Sequence, residues 1–217
     1  MRMRKKPNLD KRLERCAHLL VAEPGLFRGV WRSGSGYAAL HVELGCGKGR
    51  FTAGAAIAEG GVLLVALEKS ADAMVTAVER AAAEGVRNVR FVNAYADRLL
   101  DFFAPGEVSR IFINFCDPWP ANRHAKRRLT GRRFLELYAQ VLCPGGDVLF
   151  KTDNLALFEF SLREFEFMGF EAAEVVRDLH RGGPVGVMTD YELKFHSLGA
   201  PIYMCRVVYG GAGPRYP

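Results

Sequence analysis

No apolar run in this sequence approaches the ~20 residues that a helix needs to cross a bilayer, which sets aside a membrane-spanning chain. The basic N-terminal stretch also lacks the apolar segment of a secretory signal, so the expected location is the cytoplasm. Cysteine is sparse and shows no pairing pattern. Cys16, Cys46, Cys116, Cys143 and Cys205 are odd in number and widely scattered, which is neither a disulfide framework nor a CxxC metal site. Reduced thiols and no structural zinc are the expectation. His18, His41 and His180 are isolated and have no metal-ligand spacing. Internal repeats are missing, and no linker is long enough to divide the 217 residues. One domain, residues 1–217, is therefore expected, and a chain of this length can enclose a substantial core.

Acid is missing where base is concentrated. Residues 1–15 form a basic arm with seven Lys or Arg against Asp10 and Glu14, and residues 121–133 add six with no acid at all. The net charge of +6 thus sits in two clusters on an otherwise balanced chain, which points to a polyanionic partner, nucleic acid first. An anionic membrane surface would call for an amphipathic helix with exposed aromatics, and no segment offers one.

Strands and helices alternate along the chain. A helix is expected over Asp10–Val21, then a loop rich in Gly, Pro and Ser over 23–37. Short apolar runs predict strands at Ala38–Leu44, Val62–Leu67, Val89–Val92, Ile111 to Asp117 and Asp147–Thr152. Helices separate them, one capped by Ser70 and another running from Arg132 to Leu142. A helix over Leu155–Met168 and two late strands, near Ala173–Leu179 and Ile202–Tyr209, complete the chain. This is an α/β pattern: a mostly parallel sheet of seven strands with helices on both faces. Ligands bind such sheets outside the carboxyl ends of the strands.

The first strand ends in Glu43-Leu44-Gly45-Cys46-Gly47-Lys48-Gly49, where Gly45, Gly47 and Gly49 let the backbone approach a ligand. The spacing GxGxG departs from the dinucleotide fingerprint GxGxxG. An acid two residues before the first glycine opposes a pyrophosphate and favours a cation. S-adenosylmethionine carries a sulfonium and an ammonium and has no phosphate, so it fits better than a dinucleotide. Glu68 closes the second strand 19 residues beyond Gly49, where a carboxylate can accept both ribose hydroxyls. The bland alternative is a glycine turn beside an exposed glutamate.

Asp117 follows the fourth strand and opens Asp117-Pro118-Trp119-Pro120, a turn that no ladder can continue through. Arg123, His124, Lys126, Arg127 and Arg128 come next, then Arg132 and Arg133. A carboxylate at a strand tip, an aromatic plane and a cationic run suit an anionic, planar substrate, although a charge run alone is usually a solvated face. Asp153 closes the fifth strand, where it could equally cap the next helix. Thr189, Asp190, Tyr191 and Glu192 lie in the long loop between the last two strands, and loops of that length are usually functional.

Glu-Leu-Gly-Cys-Gly-Lys-Gly, Asn-Phe-Cys-Asp-Pro-Trp-Pro, Arg-His-Ala-Lys-Arg-Arg-Leu, Phe-Lys-Thr-Asp-Asn and Met-Thr-Asp-Tyr-Glu-Leu-Lys-Phe together resemble the bacterial tRNA (guanine-N7-)-methyltransferase family, over nearly the whole chain. The resemblance implies a class I S-adenosylmethionine-dependent methyltransferase of Rossmann-like fold that modifies guanosine 46 in the tRNA variable loop. It implies cofactor contacts from Glu43, Glu68, Tyr95 and Asp117, and tRNA contacts from Ala121, Asp153 and Thr189–Glu192. Tyr95 stands where the family usually has an acid or amide, so stacking there, or substitution by Asn93 or Asp97, stays open. Ala121 replaces a lysine common after Asp-Pro-Trp-Pro. The residues leave the oligomeric state open, and the resemblance suggests a homodimer. Guanine N7 has an in-plane lone pair and no proton to lose, so Asp117 is expected to position the base rather than to deprotonate it. Another methyltransferase, or a non-catalytic tRNA-binding protein of the same fold, is the competing expectation.

Overall fold

The computed structural model describes residues 5–210, so Arg2 and Arg4 of the basic arm lie outside the described residues. Seven strands form one sheet: β1 (Ala39–Leu44), β2 (Val62–Leu67), β3 (Val89–Val92), β4 (Val108–Asn114), β5 (Leu142–Thr152), β6 (Phe170–Val176) and β7 (Tyr203–Tyr209). Their order is β3-β2-β1-β4-β5-β7-β6. The first five pair in parallel, and β7 runs antiparallel between β5 and β6. Helices α1 (Leu9–Glu14), α2 (Arg50–Ala58), α3 (Ala71–Ala83), α4 (Leu99–Phe102), α5 (Arg132–Val141), α6 (Leu155–Phe167) and α7 (Asp190–Ser197) complete it. Among the described residues no helix is long and apolar enough to cross a membrane.

Both faces of the sheet are covered, which is why its strands read as continuous apolar runs. Small residues of α2 and α3 (Ala53, Ala56, Ala77, Ala81) pack on Leu64, Ala66, Phe91 and Phe112. On the opposite face Phe102, Leu135, Tyr138, Phe158 and Phe165 pack on Leu40, Val42, Val65, Ile111 and Phe150. Alternation along β1 sends Leu40, Val42 and Leu44 to this second face and leaves Glu43 on the first, beneath α2.

Strand β5 starts at Leu142 rather than at Asp147, β6 runs over Phe170–Val176 rather than near Ala173–Leu179, and three further departures have a visible cause. The first helix stops at Glu14, and a 3-10 turn (Ala17–Leu19) follows, because Leu20 bridges to Phe91 and Val21 donates to the Phe91 carbonyl along the edge of β3. Strand β4 ends at Asn114 rather than at Asp117, since Phe115 takes φ 51°, a left-handed conformation incompatible with a ladder. The loop between β6 and β7 contains α7, whose N-terminus carries a full capping box between Thr189 and Glu192.

Candidate active site

The strand order reverses between β1 and β4, and the chains leaving these strands diverge to open a crevice at the carboxyl edge. The loop after β1 forms one wall. A Cβ on Gly49 would lie 2.5 Å from the Ala77 Cβ, so glycine there lets α2 start close against α3. At Gly47 (φ 57°) a Cβ would meet nothing within 4 Å, because that side faces the cavity. Glu68 ties this loop to the end of β2: one carboxylate oxygen accepts from the Gly47 amide (3.0 Å) and the other from Ser70 (2.9 Å). Each oxygen retains a second lone pair for a ligand hydroxyl.

Glu43 lies beneath the same loop, 1% exposed. It accepts from the Thr52 hydroxyl (2.6 Å) and from Asn114 Nδ2 (3.2 Å). Burial pushes its pKa up to about 7, with Thr52, Asn114 and Lys151 pulling against the rise. The buried Asn114 Oδ1, at the floor of the crevice, has no hydrogen-bond partner among the described residues, so a ligand donor could meet it there. A glycine cradle above a buried carboxylate, with Glu68 at the next strand tip, fits a cofactor that presents a cation and a ribose.

Two cavities, of about 500 and 970 Å³, meet at the strand tips and share Gly45, Glu68, Lys69, Asn114, Phe115, Asp117 and Trp119. The smaller is closed on its far side by Tyr95, Ala96, Asp97 and Phe134, with Lys126, Arg127 and Arg133 at its rim. The larger runs along the glycine loop to Thr189, Asp190 and Tyr191. Asp117 stands on the seam, three residues beyond β4, its side chain 66% exposed and 3.7 Å from Lys69 Nζ. Asp153 and Ala121 are exposed and line neither cavity. Asp153 does not cap α6 either, because Asn154 does, accepting from the Leu157 amide.

The cationic run divides by task. Arg128 donates to the Pro118 and Trp119 carbonyls and lies over the Phe160 ring, which holds the Asp-Pro-Trp-Pro turn in place. Arg132 is bound to Glu164, and Arg133 faces Asp97 at 3.5 Å. Arg127 covers the Trp119 ring at 4.9 Å, and His124 meets that ring edge-on. Arg123 and Lys126 are exposed and have no ion pair among the described residues.

The segment Thr189–Glu192 is fixed from beneath. Glu192 is 0% exposed, and Lys151 Nζ donates to both of its oxygens (3.0 and 2.7 Å). His180 Nε2 lies 2.9 Å from the same carboxylate, while its Nδ1 accepts from the Val185 amide. That pairing places the ring proton on Nε2, donated to Glu192. Asp190 faces Arg80 at 3.3 Å and Arg50 at 3.8 Å, and Tyr191 alone of the four turns outward, 63% exposed. Lys151, Asn114 and Phe115 were not singled out by sequence reasoning, and His180 was set aside as an isolated histidine. A lysine inside a buried strand was the available signal for the first, since such a charge requires a partner.

The raised pKa of Glu43 has a definite sign in stability. Between about pH 4.5 and 7 the folded protein holds a proton on Glu43 that the unfolded chain releases, so this residue's contribution falls as pH rises through that window. His41, lowered to about 4 by burial and Arg110, acts in the opposite direction but is common to wild type and variant. Urea unfolding of Glu43→Gln and wild type should therefore show the variant gaining relative stability from pH 5 to pH 8. A constant difference across that range would contradict the assignment.

A family model described as a putative methyltransferase matches residues 37–205. A tRNA (guanine-N(7)-)-methyltransferase from Bacillus velezensis is 42% identical over 209 residues, covering 95% of this chain and 96% of that protein. The enzyme of the same name from Bacillus licheniformis is 44% identical over 205 residues, covering 94% and 96%. Among solved structures, the 16S rRNA methyltransferase KamB superposes with a TM-score of 0.63 at 19% identity, over 81% of this chain and 89% of that one, a likeness of fold. With a seven-stranded methyltransferase sheet, a glycine cradle at its switch point and this identity along almost its entire length, the chain belongs to the bacterial tRNA (guanine-N7-)-methyltransferase family.

Proposed function

We propose that this protein transfers the methyl group of S-adenosylmethionine to N7 of guanosine 46 in the variable loop of tRNA. The observation that carries this reading is the meeting of two cavities at Glu68 and Asp117, which gives one nucleoside to each side of a shared seam. S-adenosylmethionine supplies an activated methyl group when bound. Glu68 would accept the ribose hydroxyls, Tyr95 would face the adenine, and the glycine loop over Glu43 would receive the cationic end. Asp117 accepts hydrogen bonds from the guanine edge and holds N7 in line with the methyl carbon. The methyl group the cofactor would supply forms an N–C bond at the expense of its C–S bond, so positive charge would pass to the base with no proton to remove. A carboxylate beside that charge favours the transfer electrostatically.

Two residues take different parts from those the resemblance and the charge pattern suggest. Glu192 and Arg128 hold the segments that meet the RNA, whereas Arg123 and Lys126 meet its phosphates. Asp153 and Ala121 stand outside the two cavities, on surface that only a large substrate would reach.

The reaction is tested with labelled cofactor and an unmodified tRNA transcript, followed by digestion and mapping. Label in 7-methylguanosine at position 46 is the expected result. Label in another base, or tRNA retained without label, would overturn the reading in favour of a different methyltransferase or a binding protein. On the phosphate contacts, replacing Arg123 and Lys126 together by alanine should flatten the dependence of log affinity on log salt by roughly 0.7–0.9 per lost contact. An unchanged slope over the same salt range would show both side chains to be solvated.

A further inference from the structure

We propose that the target guanine stacks on the ring of Tyr191, backed by Phe115, and that this ring favours the cationic product of methylation. The inference rests on the reading above and concerns how the larger cavity holds the base.

Tyr191 is 63% exposed on the wall of that cavity, and its neighbours in the segment are engaged elsewhere. Thr189 caps α7, Asp190 faces Arg50 and Arg80, and Glu192 is buried on Lys151. The Tyr191 ring lies 17° from parallel to Phe115 with centroids 6.4 Å apart, and Phe115 is in turn parallel to Phe195 within 2° at 6.4 Å. Phe115, on the seam with Asp117, is thus near-parallel to two rings of α7, and Tyr191 presents its exposed face on the wall of the larger cavity that Asp117 also lines. Phe115 reaches this place only through a left-handed backbone (φ 51°), a strained conformation for a non-glycine residue. The Phe115 amide, donating to the Lys151 carbonyl at 2.9 Å, holds it there. Strain of this kind persists where the surrounding structure enforces it, commonly at ligand clamps.

Trp119, which lines both cavities, is less available. Arg127 already covers Trp119 at 4.9 Å. Tyr95 is as exposed as Tyr191 but lines only the smaller cavity. A base withdrawn from the RNA stack needs a planar partner, and aromatic side chains supply it without regard to sequence. Methylation at N7 adds a further requirement. The guanine becomes cationic as the N–C bond forms, and an aromatic face attracts a cation more than a neutral ring. The stacking contact therefore strengthens toward the transition state, which raises the rate as well as the affinity.

The test is single-turnover methyl transfer at saturating cofactor and tRNA in Tyr191→Leu and Tyr191→Phe, beside equilibrium binding of each ligand. Tyr191→Leu should slow the transfer tenfold or more while cofactor and bulk tRNA affinities stay within about threefold, since the basic segments carry most of the latter. Tyr191→Phe, which keeps the ring, should recover most of the lost rate. A Leu variant as fast as wild type would overturn the stack, and equal losses in Leu and Phe would assign the effect to the hydroxyl. Wild type that forms no 7-methylguanosine would instead sink the reading on which the inference rests.

Discussion

Glu192 lies out of water between the Lys151 ammonium and the His180 imidazole, and it also accepts from the Thr189 amide. A carboxylate in such surroundings is tolerable only while each of its contacts is made, and removing one member of a buried pair costs about 3–5 kcal/mol. The network joins three parts of the chain that no sheet ladder connects: the end of β5, the loop at His180 and the first turn of α7. Lys151 also donates to the Val187 carbonyl, so the backbone of the intervening loop is held as well. One anion thereby decides where Thr189, Asp190 and Tyr191 stand relative to the strand tips.

The rest of the site follows from the geometry of a parallel sheet. Strands β1, β2 and β4 release the chain at the same edge, so Glu43, Glu68 and Asp117 gather there although they lie far apart in sequence. Their carboxylates form an acidic floor. Arg123, Lys126 and Arg127 form a basic rim on the neighbouring surface. This division of charge suits a small cationic cofactor at depth and an RNA backbone above it. The two requirements do not compete, because the glycine loop and the Asp-Pro-Trp-Pro turn separate them in space. Arg128 belongs to that turn rather than to the rim, with its guanidinium occupied by the Pro118 and Trp119 carbonyls.

Legibility in the sequence tracked whether an element depends on its own residues or on distant ones. Val62–Leu67 and Val89–Val92 were readable to the residue, because buried parallel strands need unbroken apolar runs. The end of β4 was misplaced by three residues: Phe115 and Cys116 look like strand, and only the ties to Lys151 and α7 force the earlier turn. Helix α7 escaped notice inside a loop even though Thr189 and Glu192 have capping-box spacing. The glycine loop, Glu68 and the proline-flanked tryptophan were visible as motifs. What each arginine of the 123–133 run does was not, since a sequence shows charge but not partners. Glu192 illustrates the same limit: next to Asp190 and Tyr191 it reads as one more polar loop residue, and its burial depends on a lysine 41 positions earlier.

Hydrogen–deuterium exchange on Glu192→Gln and wild type bears most directly on the claim that this carboxylate seats the segment. The account predicts exchange at least tenfold faster in the variant across residues 180–198, including the amides of Val185 and Thr189 that depend on the network, with β1, β2 and β4 unchanged. Unaltered exchange in 180–198 would contradict it, as would a uniform loosening of the whole sheet.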